Sequence, residues 1–276
     1  RLKSKVYFFS RISNDYFGRM IKKKLEKSHV NISLIQKTED QTTLAIVSNK
    51  KNPEFNFYSN ETAFRNFKDY SLSKKFIKKI KLSHFSSISL ALNPSANTFL
   101  KIIKEIKANS KSIISLDPNI RPSIIEDKKK YLIRLSNLMK LADVVKMSDE
   151  DYNYISSTKY DIQIKKWMQL FSVKLFVLTR GSKGSILYTK RNKIIKKISK
   201  INIIDTVGAG DTFIAGLIFY LNKARMLDIN SFENITKKNW LNCLNFASKV
   251  AELNCLKAGC EPPYLNDVKK TIKIDI

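Results

Sequence analysis

The chain has 276 residues, of which 43% are hydrophobic, and its formal net charge is +27. This length and apolar content are sufficient for one large α/β domain with a sizeable core. No apolar stretch is long enough to span a bilayer and no signal-peptide pattern opens the chain, so a cytoplasmic protein without membrane association is expected. Three cysteines without a Cys-x-x-Cys pair, and two separated histidines, argue against a disulfide framework and a zinc site.

The positive charge would favour a nucleic-acid-binding protein if the basic residues were concentrated on one element. They are spread along the whole chain instead, in short runs such as residues 22–24, 128–130 and 237–238. Most of them fall on predicted helix surfaces and loops. A solvated surface is therefore predicted in preference to a nucleic-acid-binding patch, and its field would help to attract anionic ligands.

The first half of the chain alternates predicted strands with predicted helices, which is typical of a parallel α/β fold. Strands are predicted at residues 6–9, 42–47, 55–58, 83–90 and 112–116, and helices up to about residue 27 and over about 96–108 and 124–141.

A polar cluster, Asp117-Pro118-Asn119-Ile120-Arg121-Pro122, follows the strand at 112–116. Open α/β sheets bind ligands at the carboxyl ends of their strands, and the prolines stiffen the turn. Asn119 and Arg121 are therefore candidate ligand-binding residues, although a purely structural turn would give the same pattern.

Two further strand ends carry polar motifs. A strand leading into Met147 is followed by Ser148 and the acids 149–151, which would equally suit a helix N-cap with acids in its first turn. The strand at 175–178 is followed by Thr179-Arg180-Gly181-Ser182-Lys183-Gly184, a glycine-rich loop that is a weak signal on its own.

The most informative motif is Asp205-Thr206-Val207-Gly208-Ala209-Gly210-Asp211, which follows a predicted strand end at 201–204 and precedes an apolar helix. Free backbone N–H groups at a helix N-terminus form an anion hole, and glycines let a phosphate approach closely. A carboxylate beside an anion hole disfavours simple anion binding, so Asp211 is predicted to be a general base for phosphoryl transfer. The alternative is an ordinary acid in a first helical turn.

This motif, placed after the Thr179 to Gly184 loop, resembles the C-terminal signature of the ribokinase-like (PfkB) carbohydrate kinases. The resemblance implies a three-layer α/β fold with a mostly parallel central sheet and a small β lid within residues 42–62. It implies a single kinase domain over residues 1–276 that lacks the family's first strand and Gly-Gly substrate loop, which are expected before Arg1.

The resemblance also implies roles for individual residues, with ATP, Mg²⁺ and K⁺ as cofactors. Asp211, Gly208, Ala209 and Gly210 would be catalytic, and Tyr58, Asn119, Arg121 and Asp211 would bind the sugar. The residues expected to bind ATP are Ser148, Thr179, Gly181, Lys183, Gly184 and Ser248. Asp151 would hold Mg²⁺ through water, and Asp205 and Gly259 would hold the monovalent cation.

Several segments are most similar to bacterial fructokinases of this family, among them residues 84–94, 117–122 and 142–151. Relatives that phosphorylate 2-keto-3-deoxygluconate usually carry an Arg where this chain has Ser59, which weakens the sugar-acid alternative. Fructose, phosphorylated at O6, is therefore the expected substrate. The alternative function is that of a nucleotide-binding fragment impaired in catalysis. As for the oligomeric state, the resemblance suggests a homodimer formed through the lid strands.

Overall fold

The computed structural model describes residues 1–48, 55–198, 202–230 and 232–272. The strands in chain order are β1 (Tyr7–Ser13), β2 (Asn31–Thr38), β3 (Leu44–Val47), β4 (Phe55–Tyr58), β5 (Leu82–Ser86), β6 (Ile113–Asp117), β7 (Val144–Ser148), β8 (Leu175–Thr179), β9 (Ser185–Tyr188) and β10 (Lys193–Lys196). The helices are α1 (Tyr16–Lys27), α2 (Lys74–Ile77), α3 (Ser95–Asn109), α4 (Lys128–Met139), α5 (Asp149–Ile155), α6 (Tyr160–Phe171), α7 (Ala209–Lys223), α8 (Lys237–Cys255) and α9 (Leu265–Thr271).

The central sheet has six strands in the order β10-β9-β8-β7-β6-β5. β5 to β8 run parallel, and β9 and β10 add an antiparallel edge. Because parallel strands are buried on both faces, β6 to β8 are nearly continuous apolar runs. The predicted mostly parallel α/β architecture is confirmed.

Helices cover both faces of this sheet, which gives three layers. On one face, side chains such as Leu116 and Met147 pack against α3, α4 and α6. On the other face, Val144 and Val177 pack against α7 and α8. Side chains alternate between the two faces along each strand, so β7 points Lys146 to the same face as Val144, toward α7.

The N-terminal part of the chain forms two smaller sheets. β1 and β2 pair in parallel with each other, and β3 pairs with β4 as an antiparallel ribbon. Phe9 of β1 packs edge-on against Phe67 and Phe99, so β1 contributes to the main core. The ribbon β3–β4 lies within the range predicted for the lid.

The strand predicted at residues 6–9 extends to Ser13 in the structure, and three other predicted boundaries are wrong. The strand predicted over 83–90 ends at Ser86, where a 3-10 turn begins because Ser87 adopts a φ of 59°. The helix predicted over 124–141 begins only at Lys128, since the Asp127 carboxylate caps it by accepting from Lys130 N at 3.0 Å.

The third correction concerns the strand end predicted at 201–204. Residue 201 lies outside the described residues, and residues 202–204 are irregular. Ile204 N donates instead to Cys255 O at the end of α8, at 2.9 Å. This contact ties the segment to a helix rather than to a neighbouring strand.

Across the described ranges, no helix is both long enough and apolar enough to cross a lipid bilayer.

Candidate active site

Each of the parallel strands of the central sheet ends in a polar residue. These residues are Ser86 on β5, Asp117 on β6, Ser148 on β7 and Thr179 on β8. Ser86 is in register with Asp117, and Ser148 is in register with Thr179. The predicted strand-end motifs therefore meet at one edge of the sheet, which is where α/β folds bind ligands.

The N-terminus of α7 is built around Gly208, the residue that caps the helix. Gly208 has a φ of 76°, a left-handed conformation that favours glycine, and a Cβ there would clash with Cys260 Sγ. Ala209 N donates to Thr206 O at 3.1 Å. Within the described residues, the N–H groups of Gly210 and Asp211 have no protein acceptor, so they are available to an anion.

Asp211 lies in the first turn of α7, and its side chain is exposed. The carboxylate is therefore accessible to a substrate hydroxyl while it remains beside the free N–H groups. This geometry is what the sequence predicts for a general base next to an anion hole.

The loop that leads into α7 is held by the C-terminal end of α8. The carboxylate of Asp205 accepts from Val207 N at 2.9 Å and from Gly259 N at 2.8 Å. These backbone hydrogen bonds, first that from Val207, lower the pKa of Asp205. Asn254, which is fully buried, donates from Nδ2 to Val207 O at 2.8 Å. The structure thus brings the two predicted monovalent-cation residues, Asp205 and Gly259, into contact.

At the end of β7, Ser148 and Asp151 form a complete capping box for α5. Asp151 is buried, and its two oxygens accept from Ser148 N at 2.9 Å and from Ile120 N at 2.6 Å. The helix-cap alternative is therefore present in the structure, with a further bond to the turn after β6. A role for Asp151 in ordering magnesium-bound water stays a prediction.

Asp149, the neighbour of this box, has a buried Oδ1 without a hydrogen-bond partner among the described residues. Desolvation raises the pKa of Asp149, the neighbouring Glu150 side chain raises it further, and the charge of Lys183 opposes the shift. Because Ser148 is in register with Thr179, the loop after β8 lies beside the start of α5. An unpartnered carboxylate oxygen at this edge fits a divalent cation of the Mg²⁺ type, which binds one or two carboxylates together with water and phosphate oxygens.

The glycine-rich loop after β8 is a tight connection to β9. Gly181 and Gly184 have positive φ values of 50° and 84°, and a Cβ on Gly184 would clash with Lys196 O. Thr179 Oγ1 donates to Met147 O at 3.4 Å. Ser248, another predicted ATP-binding residue, is buried on α8 with an Oγ that finds no partner in the part of the chain described.

The predicted sugar-binding residues belong to neighbouring elements. Asn119 adopts a left-handed φ of 40°, and Arg121 donates from Nη1 to Ile120 O at 3.1 Å. Tyr58 is 56% exposed on β4, the strand that packs against the 3-10 turn Pro122–Ile124 after Arg121. The lid strand and the turn after β6 therefore lie side by side.

A cavity of about 230 Å³ opens between the lid and β1. Its lining includes Ser10, Thr42, Thr43, Phe57, Phe64 and Ile88. The walls are mainly apolar with a few hydroxyl groups, a composition common in small-molecule sites.

One buried ion pair of the site was not predicted. Lys146 Nζ donates to Asp117 Oδ2 at 2.9 Å, and the two side chains are 4% and 0% exposed. Burial raises the pKa of Asp117 to about 6, although the charge of Lys146 opposes this shift. A lysine inside the apolar strand 144–147 was the available signal, because a buried lysine needs a partner. Asn254, which donates to Val207 O, carries no comparable signal in the sequence.

The comparisons with known proteins decide the family. A family model described as pfkB family carbohydrate kinase matches residues 1–267. The chain belongs to this family. A fructokinase from Rhizobium leguminosarum bv. trifolii is 32% identical to this PfkB kinase over 229 residues, which cover 82% of the chain and 69% of that protein. A putative sugar kinase from Pyrococcus horikoshii is 30% identical over 262 residues, covering 94% of the chain and 77% of that protein.

Solved structures give the same fold. A fructokinase with bound ATP from Xylella fastidiosa matches this PfkB kinase with a TM-score of 0.88 at 23% identity, covering 98% of this chain and 85% of that chain. A fructokinase from Vibrio cholerae O395, in a form with fructose, ADP and calcium ion bound, matches with a TM-score of 0.83 at 24% identity, covering 99% and 87%. The chain is therefore a carbohydrate kinase with the ribokinase-like α/β fold, as the sequence predicts.

Proposed function

We propose that this PfkB kinase transfers the γ-phosphoryl group of ATP to a primary hydroxyl of a free sugar, namely O6 of fructose. The observation that carries the proposal is the start of α7, where free N–H groups of Gly210 and Asp211 adjoin the exposed Asp211 carboxylate. The fructokinases among its relatives support fructose as the acceptor.

The reaction would proceed by in-line displacement. The Asp211 carboxylate takes the proton of the sugar hydroxyl as the hydroxyl oxygen bonds to the γ-phosphorus. The bond from that phosphorus to the oxygen bridging it to the β-phosphate breaks, and ADP leaves with the electron pair. The start of α7, including Gly208 and Ala209, stabilises the charge on the transferred group through its N–H groups and dipole.

The nucleotide would lie along the edge formed by β7, β8 and α8. Ser248 offers a buried hydroxyl that is unpartnered within the described residues, and the loop Thr179 to Gly184 lies beside the start of α5 because Thr179 is in register with Ser148. We therefore assign Ser148, Thr179, Gly181, Lys183, Gly184 and Ser248 to ATP binding.

Two cations would assist the reaction. Mg²⁺ supplies charge neutralisation on the phosphates when it is bound. We assign its water-mediated binding to Asp151, which belongs to the same first turn of α5 as Asp149 with its unpartnered Oδ1. We assign a monovalent cation, K⁺, to Asp205 and Gly259, which already meet at the loop into α7.

The choice of sugar is tested by comparing fructose, ribose, adenosine and 2-keto-3-deoxygluconate in a coupled ADP-release assay of the full-length protein. The acid would require a cationic partner in the lid, where this chain has Ser59, a buried residue. A buried carboxylate without a partner costs several kcal/mol, so kcat/KM for fructose should exceed that for the acid by at least about tenfold. The reverse order would assign the protein to the sugar-acid kinases and leave the fold and the base untouched.

A full-length protein that binds ATP but phosphorylates none of these sugars would support the alternative of a nucleotide-binding protein impaired in catalysis. Nucleic-acid binding is tested separately by retention on DNA at increasing salt, because contacts with phosphates weaken steeply as salt rises. We expect no salt-sensitive retention, since the basic residues are dispersed.

We also propose that the lid pairs with the lid of a second copy. Ile46 is 58% exposed on β3, and Tyr58 is exposed on β4. An exposed apolar ribbon of this kind is well suited to association. Analytical ultracentrifugation should show a dimer that Ile46→Glu dissociates, and a wild-type monomer at micromolar concentration would refute the lid dimer.

A further inference from the structure

Lys146 is a buried cation whose place in the fold is not explained by packing alone. It lies on the face of β7 that α7 covers, and among the described residues its hydrogen-bond acceptor is Asp117 Oδ2. A buried ion pair is weak evidence for stability, because removing two charges from water costs about as much as their attraction returns. Stability alone therefore does not explain why Lys146 and Asp117 are buried together.

The position of Lys146 behind Gly210 points to a role in the first turn of α7. A Cβ on Gly210 would lie 2.9 Å from Lys146 Nζ, so the ammonium group sits against the backbone of the first turn of α7. Gly210 does not have a positive φ, unlike Gly208, and its backbone would accept a side chain. A side chain at this position would therefore displace the Lys146 ammonium group from its place behind the turn.

The charges around Lys146 are mainly negative. Asp117 keeps a buried Oδ1 without a partner in the described part of the chain. Asp151 and Asp211 are both close enough to raise the pKa of Asp117. A phosphoryl group bound at the start of α7 would add further negative charge to this cluster, so a fixed positive charge behind Gly210 would offset it.

We propose that Lys146 is a positioning residue for phosphoryl transfer: fixed by Asp117, its ammonium group supports the first turn of α7 and stabilises the terminal phosphoryl group of bound ATP. The inference rests on the proposed function and deepens it. Because ADP lacks that phosphoryl group, Lys146 should favour ATP over ADP.

The test combines Lys146→Met, Asp117→Asn and the double variant. Lys146→Met alone leaves the Asp117 charge buried without its partner, so its melting temperature should fall, whereas the neutral double variant should regain most of the loss. Lys107→Met is the matched control, because Lys107 pairs with Asp143 beside the opposite end of β7.

Titration calorimetry with Mg–ATP and Mg–ADP separates a role of Lys146 in binding the terminal phosphoryl group from a role in stability alone. We expect the double variant to bind ATP about tenfold more weakly while ADP affinity is unchanged, and kcat to fall about a hundredfold, the range for loss of one stabilising group. Lys107→Met should bind both nucleotides like the wild type. A double variant that recovers the melting temperature together with the wild-type preference for ATP and kcat would overturn the proposal and leave a structural ion pair. A wild-type protein that fails to bind ATP would instead refute the proposed function.

Discussion

The region that would transfer the phosphoryl group and the lid are built in opposite ways. The transfer region, from Asp205 to Asp211 with the ends of β6, β7 and α8, is held by buried side chains such as Asp117, Lys146 and Asn254. The lid, β3 and β4, exposes apolar side chains and makes its own two-stranded sheet. The difference indicates that the transfer region is preorganised, whereas the lid depends on what binds against it.

The largest expected effect comes from Asp211. Asp211→Asn removes the general base, so kcat should fall by about two to four powers of ten while ATP affinity stays within a few-fold. Tyr58→Ala in the lid should instead raise KM for the sugar with little change in kcat. Steady-state kinetics with both substrates measures the two outcomes.

Asp267→Asn is the control for this pair, because Asp267 is also an acid in the first turn of a helix, α9, outside the proposed site. The Asp267→Asn variant should phosphorylate the sugar with the wild-type kcat. An Asp211→Asn variant that retains a quarter of wild-type activity would show that Asp211 is not the base.

The rigidity of the transfer region is tested at two glycines with positive φ. Gly208→Ala and Gly259→Ala each force an alanine into a left-handed conformation, which costs about 1 kcal/mol. Only Gly208→Ala also pushes a Cβ against Cys260 Sγ, whereas a Cβ on Gly259 meets no atom within 4 Å. The free energy of unfolding in urea should therefore fall by about 2–3 kcal/mol for Gly208→Ala and by about 1 kcal/mol for Gly259→Ala. Equal losses would mean that the loop can move away from Cys260.

Potassium should raise the rate by tightening the loop around Gly208 through Asp205. Replacement of K⁺ by Na⁺ at constant ionic strength should lower kcat severalfold in the wild type. Asp205→Asn should be insensitive to the exchange. Wild-type activity that does not change between the two ions would remove the monovalent site, and the assignment of Mg²⁺ would stand.

The smallest effect is expected where the lid joins the body of the molecule. The Asp15 carboxylate caps α1 by accepting from Gly18 N at 2.7 Å, and it also accepts from Thr42 N at 2.8 Å, just before β3. Although desolvation raises the pKa of Asp15, these hydrogen bonds outweigh it and lower the pKa to about 2. Asp15→Ala should cost about 1 kcal/mol of stability.

The sign of the pH effect follows from that depressed pKa. The stability that Asp15 contributes is present above about pH 4 and is lost as the pH falls toward 2. The difference in melting temperature between the wild type and Asp15→Ala should therefore shrink over this range. Asp127→Ala at the start of α4 removes a cap that lacks the bond to Thr42, so a loss as large as that of Asp15→Ala would exclude a contribution from Thr42.

The parts of the fold that depend on local patterns were predictable from the sequence. α7 follows from an apolar run after Gly208 and Gly210, and the strand-end motifs follow from the α/β alternation. β2 was missed because Asn31–Thr38 is only partly buried and lacks a clear apolar face. The end of β5 was misplaced because the turn depends on the left-handed conformation of Ser87, which its sequence does not signal.

Contacts between segments that are distant in the chain could not be predicted from local sequence patterns. The bond between Lys146 and Asp117 exists because β6 and β7 are neighbours in register, and the bond between Asp205 and Gly259 exists because α8 packs on α7. The strand ends and the loop into α7 are predictable from the sequence, but the partners that their side chains contact depend on tertiary packing. The contact between Asn254 and Val207 O depends on the same packing.

The hydrogen bonds to the Asp205 carboxylate couple the motions of two segments of the chain. It accepts hydrogen bonds from the amides of Val207 and Gly259, which are far apart in the chain. A single opening of this carboxylate would release both amides to solvent together, so their hydrogen exchange should occur as one event although they belong to different segments. The turn at Gly208 and the end of α8 would then fluctuate as a single unit, and a ligand that reduces the motion of one would also reduce the motion of the other.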